Sequence, residues 1–251
     1  MSNEMEFLMD RIDGLCDENN EDIINEGKEI VKIYMEKKFP DDISSKFRNS
    51  FVSTCFRNIA IRYVGFTLLT NKFLNNLSNY IGNKKCLEVM AGKGSLSKGL
   101  MDRGVNVIPT DNFSWKQKLN LDDLWTDIEN IDCLDAIRKY GKDVDFIIAS
   151  WIPMDNTGYN MLKLMNEINP ECKMIVIGED IDGCTANDNF FNNLEFVFED
   201  YYQRDTQDDM CIFGMVNAIP DFRSWSGIYD RVSIVRFKKD VNYVENNFFL
   251  L

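Results

Sequence analysis

The chain has 251 residues, 45% hydrophobic and 27% charged, an ordinary globular composition with enough apolar material for one sizeable core. Its net charge of −13 repels a phosphate backbone, and no long Lys/Arg run offsets that, so nucleic acid is disfavoured as a partner. Histidine is absent, which excludes Ser-His-Asp, Cys-His and His-ligated zinc chemistry; a general base must be Asp, Glu, Lys, Tyr or Cys, and no metal is expected.

No apolar run reaches the ~18 residues of a membrane span, so no membrane association is expected. The acidic start MSNEMEFLMD lacks the apolar segment of a secretory signal. The seven cysteines include no C-x-x-C pair, and several lie in apolar runs. They read as reduced thiols packed as small hydrophobes, which points to a cytoplasmic location.

Residues 1–80 read as a helical extension capping a core domain of residues 81–251. Met5, Leu8, Ile12 and Leu15 share one face of a first helix. Ile23, Gly27, Ile30, Val31 and Tyr34 repeat that spacing in a second, which ends near Phe39-Pro40. The segment 43–81 reads as two helices joined within 63–70, with a break at Gly65 and caps among Asp41, Asp42 and Ser44.

The texture changes at Lys85. Strands are predicted at 86–90, 105–110, 144–150 and 174–178, with helices at 95–103, 131–140 and 159–168 between them. This alternation predicts an α/β three-layer sandwich whose sheet is mostly parallel. Later come a helix at 186–194, strands at 195–201 and 210–218, and a last strand at 231–238. Two adjacent late strands suggest an antiparallel edge hairpin. The apolar tail NNFFLL is expected to pack on the body or at a contact between copies; the oligomeric state is not readable.

The chemistry concentrates in Cys86 to Asn112. The first strand enters the loop Met90-Ala91-Gly92-Lys93-Gly94, which opens a helix. Gly92 and Gly94 admit a ligand close to the backbone, and the helix start offers N–H groups to a carboxylate. A phosphate loop needs G-x-x-x-x-G-K-[ST], and here the lysine lies between the glycines. A nicotinamide fingerprint needs G-x-G-x-x-G; Ser97 takes the third position, and Glu88 would sit poorly beside a pyrophosphate. S-adenosylmethionine (SAM) fits better, because its methionine end carries an ammonium for Glu88 and a carboxylate for the loop. Asp111-Asn112 at the tip of the second strand suits ribose hydroxyls. Asp132 and Cys133 suit the adenine, or Asp132 is a helix N-cap. Ser150 ends the strand predicted at 144–150 and Trp151 follows it, where ligands of open α/β sheets bind; Trp151 either shields the transfer zone or covers the core edge.

From Lys85 to Gly178 the chain resembles the class I SAM-dependent methyltransferases. LEVMAGKG is similar to their first motif, E/D-x-G-x-G-x-G, with Met90 in place of the first glycine. Asp111 and Asp132 fall where that family's ribose and adenine acids are expected. SWIPM resembles [DNS]-P-P-[YFW], with Ile152 and Met154 as departures, so amino-group methylation is not carried over. More loosely, 62–238 is similar to an uncharacterised subgroup with LEVGAG, WPPY and GE-x-x-GCT segments. The resemblance implies seven strands with the last antiparallel. It also implies a lead-in, here Arg62, Tyr63 and Thr70, over the methionine end of SAM, unless that segment is a packed helical cap. It implies methyl transfer, leaving S-adenosylhomocysteine (SAH); the acidic surface and aromatic lead-in favour a small molecule or a protein side chain as acceptor. Asp155 and Glu179 are the candidate catalytic bases, and Cys184 a weaker nucleophile. Two alternatives stand beside methyl transfer: a SAM- or SAH-binding regulatory or structural protein, and a SAM-cleaving enzyme.

Overall fold

The computed structural model describes residues 20–115, 123–197 and 217–238. The helix expected at 5–15, the tail, and most of the strand expected at 210–218 lie outside them.

Helix α1 (Glu21–Met35) buries Ile23, Ile24, Gly27, Ile30, Val31 and Tyr34, a single face at helical spacing. Gly27 is where α1 meets the next long helix: a Cβ there would stand 2.3 Å from the Phe56 ring. The segment 43–81 forms three helices rather than two: α2 (Ser45–Arg48), α3 (Phe51–Val64) and α4 (Asn71–Ile81). A hydroxyl caps each start, with Ser44, Ser50 and Thr70 accepting from Phe47, Val52 and Phe73 N–H. The break expected near Gly65 is present; Gly65 ends α3 at φ 91°.

Strands β1 (Lys85–Val89), β2 (Asn106–Asp111), β3 (Glu129–Asn130), β4 (Phe146–Ser150), β5 (Lys173–Gly178), β6 (Leu194–Phe196) and β7 (Arg231–Phe237) form one sheet ordered β3-β2-β1-β4-β5-β7-β6. Helices α5 (Ser95–Met101), α6 (Cys133–Tyr140), α7 (Thr157–Ile168) and α8 (Asp188–Asn193) complete the chain order. β1 to β5 pair in parallel, and β7 runs antiparallel to both β5 and β6. This is the three-layer α/β sandwich, its seven-stranded sheet mostly parallel with the last strand antiparallel, that the resemblance implies.

With most of the strand at 210–218 outside the described residues, the late antiparallel pair that is described is β6 with β7. β7 lies between β5 and β6, which leaves β6 at the edge. Burial explains it: Arg231 to Val235 are all buried, which a central position provides, while three-residue β6 is half covered and suits an edge.

Alternation along the strands splits the core in two. Cys86, Phe146, Ile148, Ile175, Ile177, Val232 and Ile234 face α3, α4 and α5. Leu87, Val89, Ile147, Ala149, Met174 and Val176 face α6, α7 and α8. The N-terminal helices are therefore one outer layer of the same sandwich.

Candidate functional site

The carboxyl ends of β1, β2 and β4 open on a cavity of about 570 Å³, within the usual range for small-molecule sites. Its lining includes Glu88, Met90, Ala91, Gly92, Asp111, Asn112, Asp132, Cys133, Ser150, Trp151 and Asp155. The structure thus brings these eleven sequence candidates together. Arg62, Tyr63, Thr70, Gly94, Glu179 and Cys184 are not on the wall.

The loop's shape follows from three left-handed residues: Met90 (φ 54°), Gly92 (φ 60°) and Gly94 (φ 75°). Met90, standing where the motif has glycine, keeps the glycine conformation, which costs an L-residue about 1 kcal/mol. Gly94 caps α5; a Cβ there would lie 3.0 Å from Ile128. Two loop amides are used internally. Gly92 N–H donates to Asp111 Oδ2 at 2.7 Å and Gly94 N–H to the Ala91 carbonyl at 2.8 Å.

Glu88 is 2% exposed and lines the cavity on the helical-layer side. Its carboxylate accepts the Ser97 hydroxyl. Burial pushes its carboxyl up to about 7; hydrogen bonds from Ser97 pull it down, and the neighbouring Asp111 charge adds a smaller push up. No cation is among these influences. A buried carboxylate without a counter-charge is unfavourable, and a ligand ammonium is the group that would relieve it.

Asp111 does more than face a ligand. Its Oδ1 accepts Phe113 N–H at 2.6 Å and Trp115 Nε1 at 3.0 Å, while Oδ2 holds Gly92. It pins the glycine loop to the loop after β2. Asn112 Nδ2 reaches Asp132 Oδ2 at 3.4 Å. Asp132 lines the cavity and is also the N-cap of α6, accepting Leu134 N–H at 2.9 Å, which is the N-cap reading of that carboxylate. Burial pushes the Cys133 thiol up to about 11, leaving it a neutral wall residue.

At the β4 tip, Ser150 Oγ and Thr67 Oγ1 lie 2.7 Å apart. Trp151 follows in the left-handed region (φ 53°), its ring 5.3 Å from that of Phe66. Arg57 stands over both rings, 5.5 Å from Trp151 and 5.9 Å from Phe66. Behind Trp151 lies Asp230, 3% exposed, whose carboxyl burial pushes up to about 6.

The two candidate bases differ in place. Asp155 is on the cavity wall, but hydrogen bonds from Thr157 hold its carboxyl below the usual range, a poor setting for a base near neutrality. Glu179 is committed elsewhere, accepting Cys184 N–H at 2.7 Å and Tyr229 N–H at 3.1 Å. That carboxylate beside Cys184 pushes its thiol up, the opposite of nucleophile activation. Tyr63 acts through its backbone, its carbonyl accepting Trp125 Nε1 at 2.8 Å.

That contact belongs to a set the sequence did not disclose. Three successive carbonyls at the end of α3 each accept a side chain from the cofactor-loop side. Lys93 Nζ donates to Arg62, Trp125 Nε1 to Tyr63, and Ser95 Oγ to Val64 at 2.5 Å. The lysine between the glycines fastens the helical layer to the loop. Only the unusual placement of Lys93 hinted at this. Thr67 and Phe66 were also missed, because loop residues on a cavity wall carry no periodic signal.

Among the described residues no group of three Cys, Asp or Glu side chains could hold a metal ion. No described helix is long and apolar enough to cross a membrane.

No family model matches the chain, and no curated protein matches it. Solved structures similar to it include TehB from Haemophilus influenzae, at 15% identity over 72% of this chain and 67% of that one, with a TM-score of 0.42. Magnesium protoporphyrin IX methyltransferase from Synechocystis PCC 6803, solved with bound SAM, is 10% identical over 67% and 79%, at 0.39. A mitomycin 7-O-methyltransferase is 11% identical over 86% and 68%, at 0.41. At these values none assigns an activity to this chain.

Proposed function

We propose that this chain binds SAM in the cavity at the β1, β2 and β4 tips and methylates a small molecule or protein side chain. Buried Glu88, lining that cavity with no cation among the groups that shift its carboxyl, is the observation that carries the reading. The donor set fits SAM: Glu88 for the ammonium, Asp111 and Asn112 for ribose hydroxyls, Asp132 and Cys133 beside the adenine. A phosphate-bearing nucleotide fits poorly against three carboxylates.

Bound SAM would supply an electrophilic methyl group. The protein's work is then alignment and exclusion of water. The Phe66–Trp151 wall excludes water at the β4 tip, and the Thr67–Ser150 hydroxyls orient a nucleophile there. Met90 in the motif and the lack of an evident base favour a second reading, a SAM- or SAH-binding protein without turnover.

Calorimetry with SAM and SAH tests the shared claim. Wild type binds, and Gly92→Val, which puts a β-branched residue at φ 60° on the cavity wall, abolishes binding. Wild type that binds neither ligand sinks both readings. Transfer of labelled methyl to a cell-extract acceptor pool separates them.

A further inference from the structure

We infer that Asp230 is a positioning residue for the cavity wall: its buried carboxylate takes the Trp151 indole N–H, with Arg57 as counter-charge, and so fixes where the indole stands. The assignment concerns the wall itself and stands apart from which ligand the cavity takes.

The three residues come from separate elements. Arg57 lies on α3, Trp151 follows β4, and Asp230 precedes β7. Trp151 lines the cavity, and the Arg57 guanidinium stands 5.5 Å from the centre of its ring. Four side-chain atoms of this trio are buried with no hydrogen-bond partner among the described residues: Trp151 Nε1, Arg57 Nε and both Asp230 carboxylate oxygens. Two are donors and two are acceptors. Buried polar groups left open are rare, and each calls for a reason. Here the open groups act on one another. Burial pushes the Asp230 carboxyl up to about 6, and the Trp151 N–H and the Arg57 charge both pull against that.

The remaining groups around Asp230 are already engaged. Ser224, on the same loop, donates its hydroxyl to the Asp230 backbone carbonyl at 2.8 Å and pulls the carboxyl down. Glu179, after β5, pushes it up, and holds the Cys184 and Tyr229 N–H groups. The adjacent Arg231 pairs with Asp180 and is not among the influences, which leaves Arg57 as the cation acting on Asp230.

The backbone at Trp151 shows what the anchor adds. The residue sits at φ 53°, held by its own N–H on the Ile177 carbonyl at 2.7 Å and by buried Ile152 after it. These contacts fix the main chain and leave the ring to its neighbours. On one side the ring meets Phe66, itself half exposed. The indole has a single polar atom, and that atom is turned into the protein. An ionised Asp230 accepts its proton in a charge-assisted bond, and a protonated one is a weaker acceptor. The proton leaves Asp230 as pH rises through about 6, so the wall is anchored above that value and released below it.

The test reads the Trp151 indole N–H by proton–nitrogen NMR on the full-length, ligand-free protein. The four tryptophans give separate indole signals, and Trp151→Phe identifies the one that matters. That signal is expected downfield at about pH 7.5, moving upfield with a midpoint at about 6 as pH falls to about 5. Asp230→Asn is expected to abolish the step, and Asp230→Glu to restore one. Arg57→Gln is expected to raise the midpoint, with Arg57→Lys returning it toward wild type. Glu88→Gln leaves the step in place, which separates it from the Glu88 titration at about 7. A merely structural Asp230 changes folding stability and gives the indole signal no pH step. A flat wild-type signal, a step that survives Asp230→Asn, or a midpoint indifferent to Arg57→Gln overturns the inference. Should Asp230→Asn fail to fold, wild type and Arg57→Gln decide it by the same criteria. No readout here uses SAM or SAH, so this inference and the SAM reading fail separately.

Discussion

Glu88 links cofactor binding to pH in a way that can be worked out beforehand. In the ligand-free protein its carboxyl sits at about 7 because it is buried, with Asp111 as the charged neighbour. A ligand ammonium against it lowers that value, since an opposite charge at contact favours the ionised form by about 1–3 units. Binding therefore favours deprotonated Glu88, and affinity rises as pH rises toward and past about 7. With a free value near 7 and a bound value of about 5, affinity for SAH is expected to be about eightfold weaker at pH 6 than at pH 7.5, roughly 1.2 kcal/mol. SAH is the better probe because it has no sulfonium charge. 5′-Methylthioadenosine lacks the ammonium and should bind with little pH dependence from this source. Glu88→Gln should flatten the SAH profile and weaken binding at pH 7.5. The same substitution should stabilise the ligand-free protein. A carboxyl raised above its unfolded value of about 4.5 is bound to its proton more tightly in the fold, so its stabilising effect is present at low pH and lost as pH rises through about 7. At pH 7.5 the ionised group costs at most about 3 kcal/mol, so thermal unfolding of Glu88→Gln without ligand should occur several degrees higher. Calorimetry across pH and scanning calorimetry read the two halves. A flat wild-type SAH profile, or a Glu88→Gln protein that loses stability while binding SAH normally, refutes the reasoning.

Two further substitutions probe the loop and its fastening. Met90→Ile forces a β-branched residue to φ 54° and should lower unfolding stability by ~2 kcal/mol more than Met90→Gly, which keeps the conformation but loses side-chain packing; equal denaturant midpoints contradict the left-handed assignment. Lys93→Met removes the lysine's hydrogen bond to the Arg62 carbonyl at the end of α3, so amide exchange over 60–66 should quicken and SAM affinity fall a few-fold; unchanged exchange there means the lysine does not fasten the layer.

The fold was legible where periodicity is strong. The strands at 85–89 and 173–178 and the helix at 157–168 carry unbroken apolar runs or clear helical spacing, and their positions follow the sequence within a few residues. The late topology was not legible, because strand order depends on which apolar strand is covered on both faces. β7 qualifies and β6 does not, yet both read simply as strands. The candidate site was legible on the side proposed for SAM, where glycines and acids stand at fixed offsets from strand ends. It was obscure on the other side, because Thr67 and Arg57 come from helices and a loop that meet β4 only in three dimensions. Glu179 shows the converse failure: its place after β5 suggested chemistry, and its oxygens turn out to bind the backbone of two loops.

The two irregularities of the first motif then acquire a common explanation. Met90 and Lys93 break the glycine pattern, and as sequence they suggest an eroding site. In the fold Met90 holds the left-handed turn that glycine holds by preference, and its side chain packs on the α6–α7 side of the sheet. Lys93 reaches the opposite side and caps α3. Each spends a residue that a minimal loop would leave as glycine, or free, on a contact with one of the two helical layers. Erosion would remove such constraints, whereas here the loop is clamped from both faces around a buried, uncompensated carboxylate. Clamping of this kind is what a site for a cationic ligand group requires, and it supports the SAM reading proposed above.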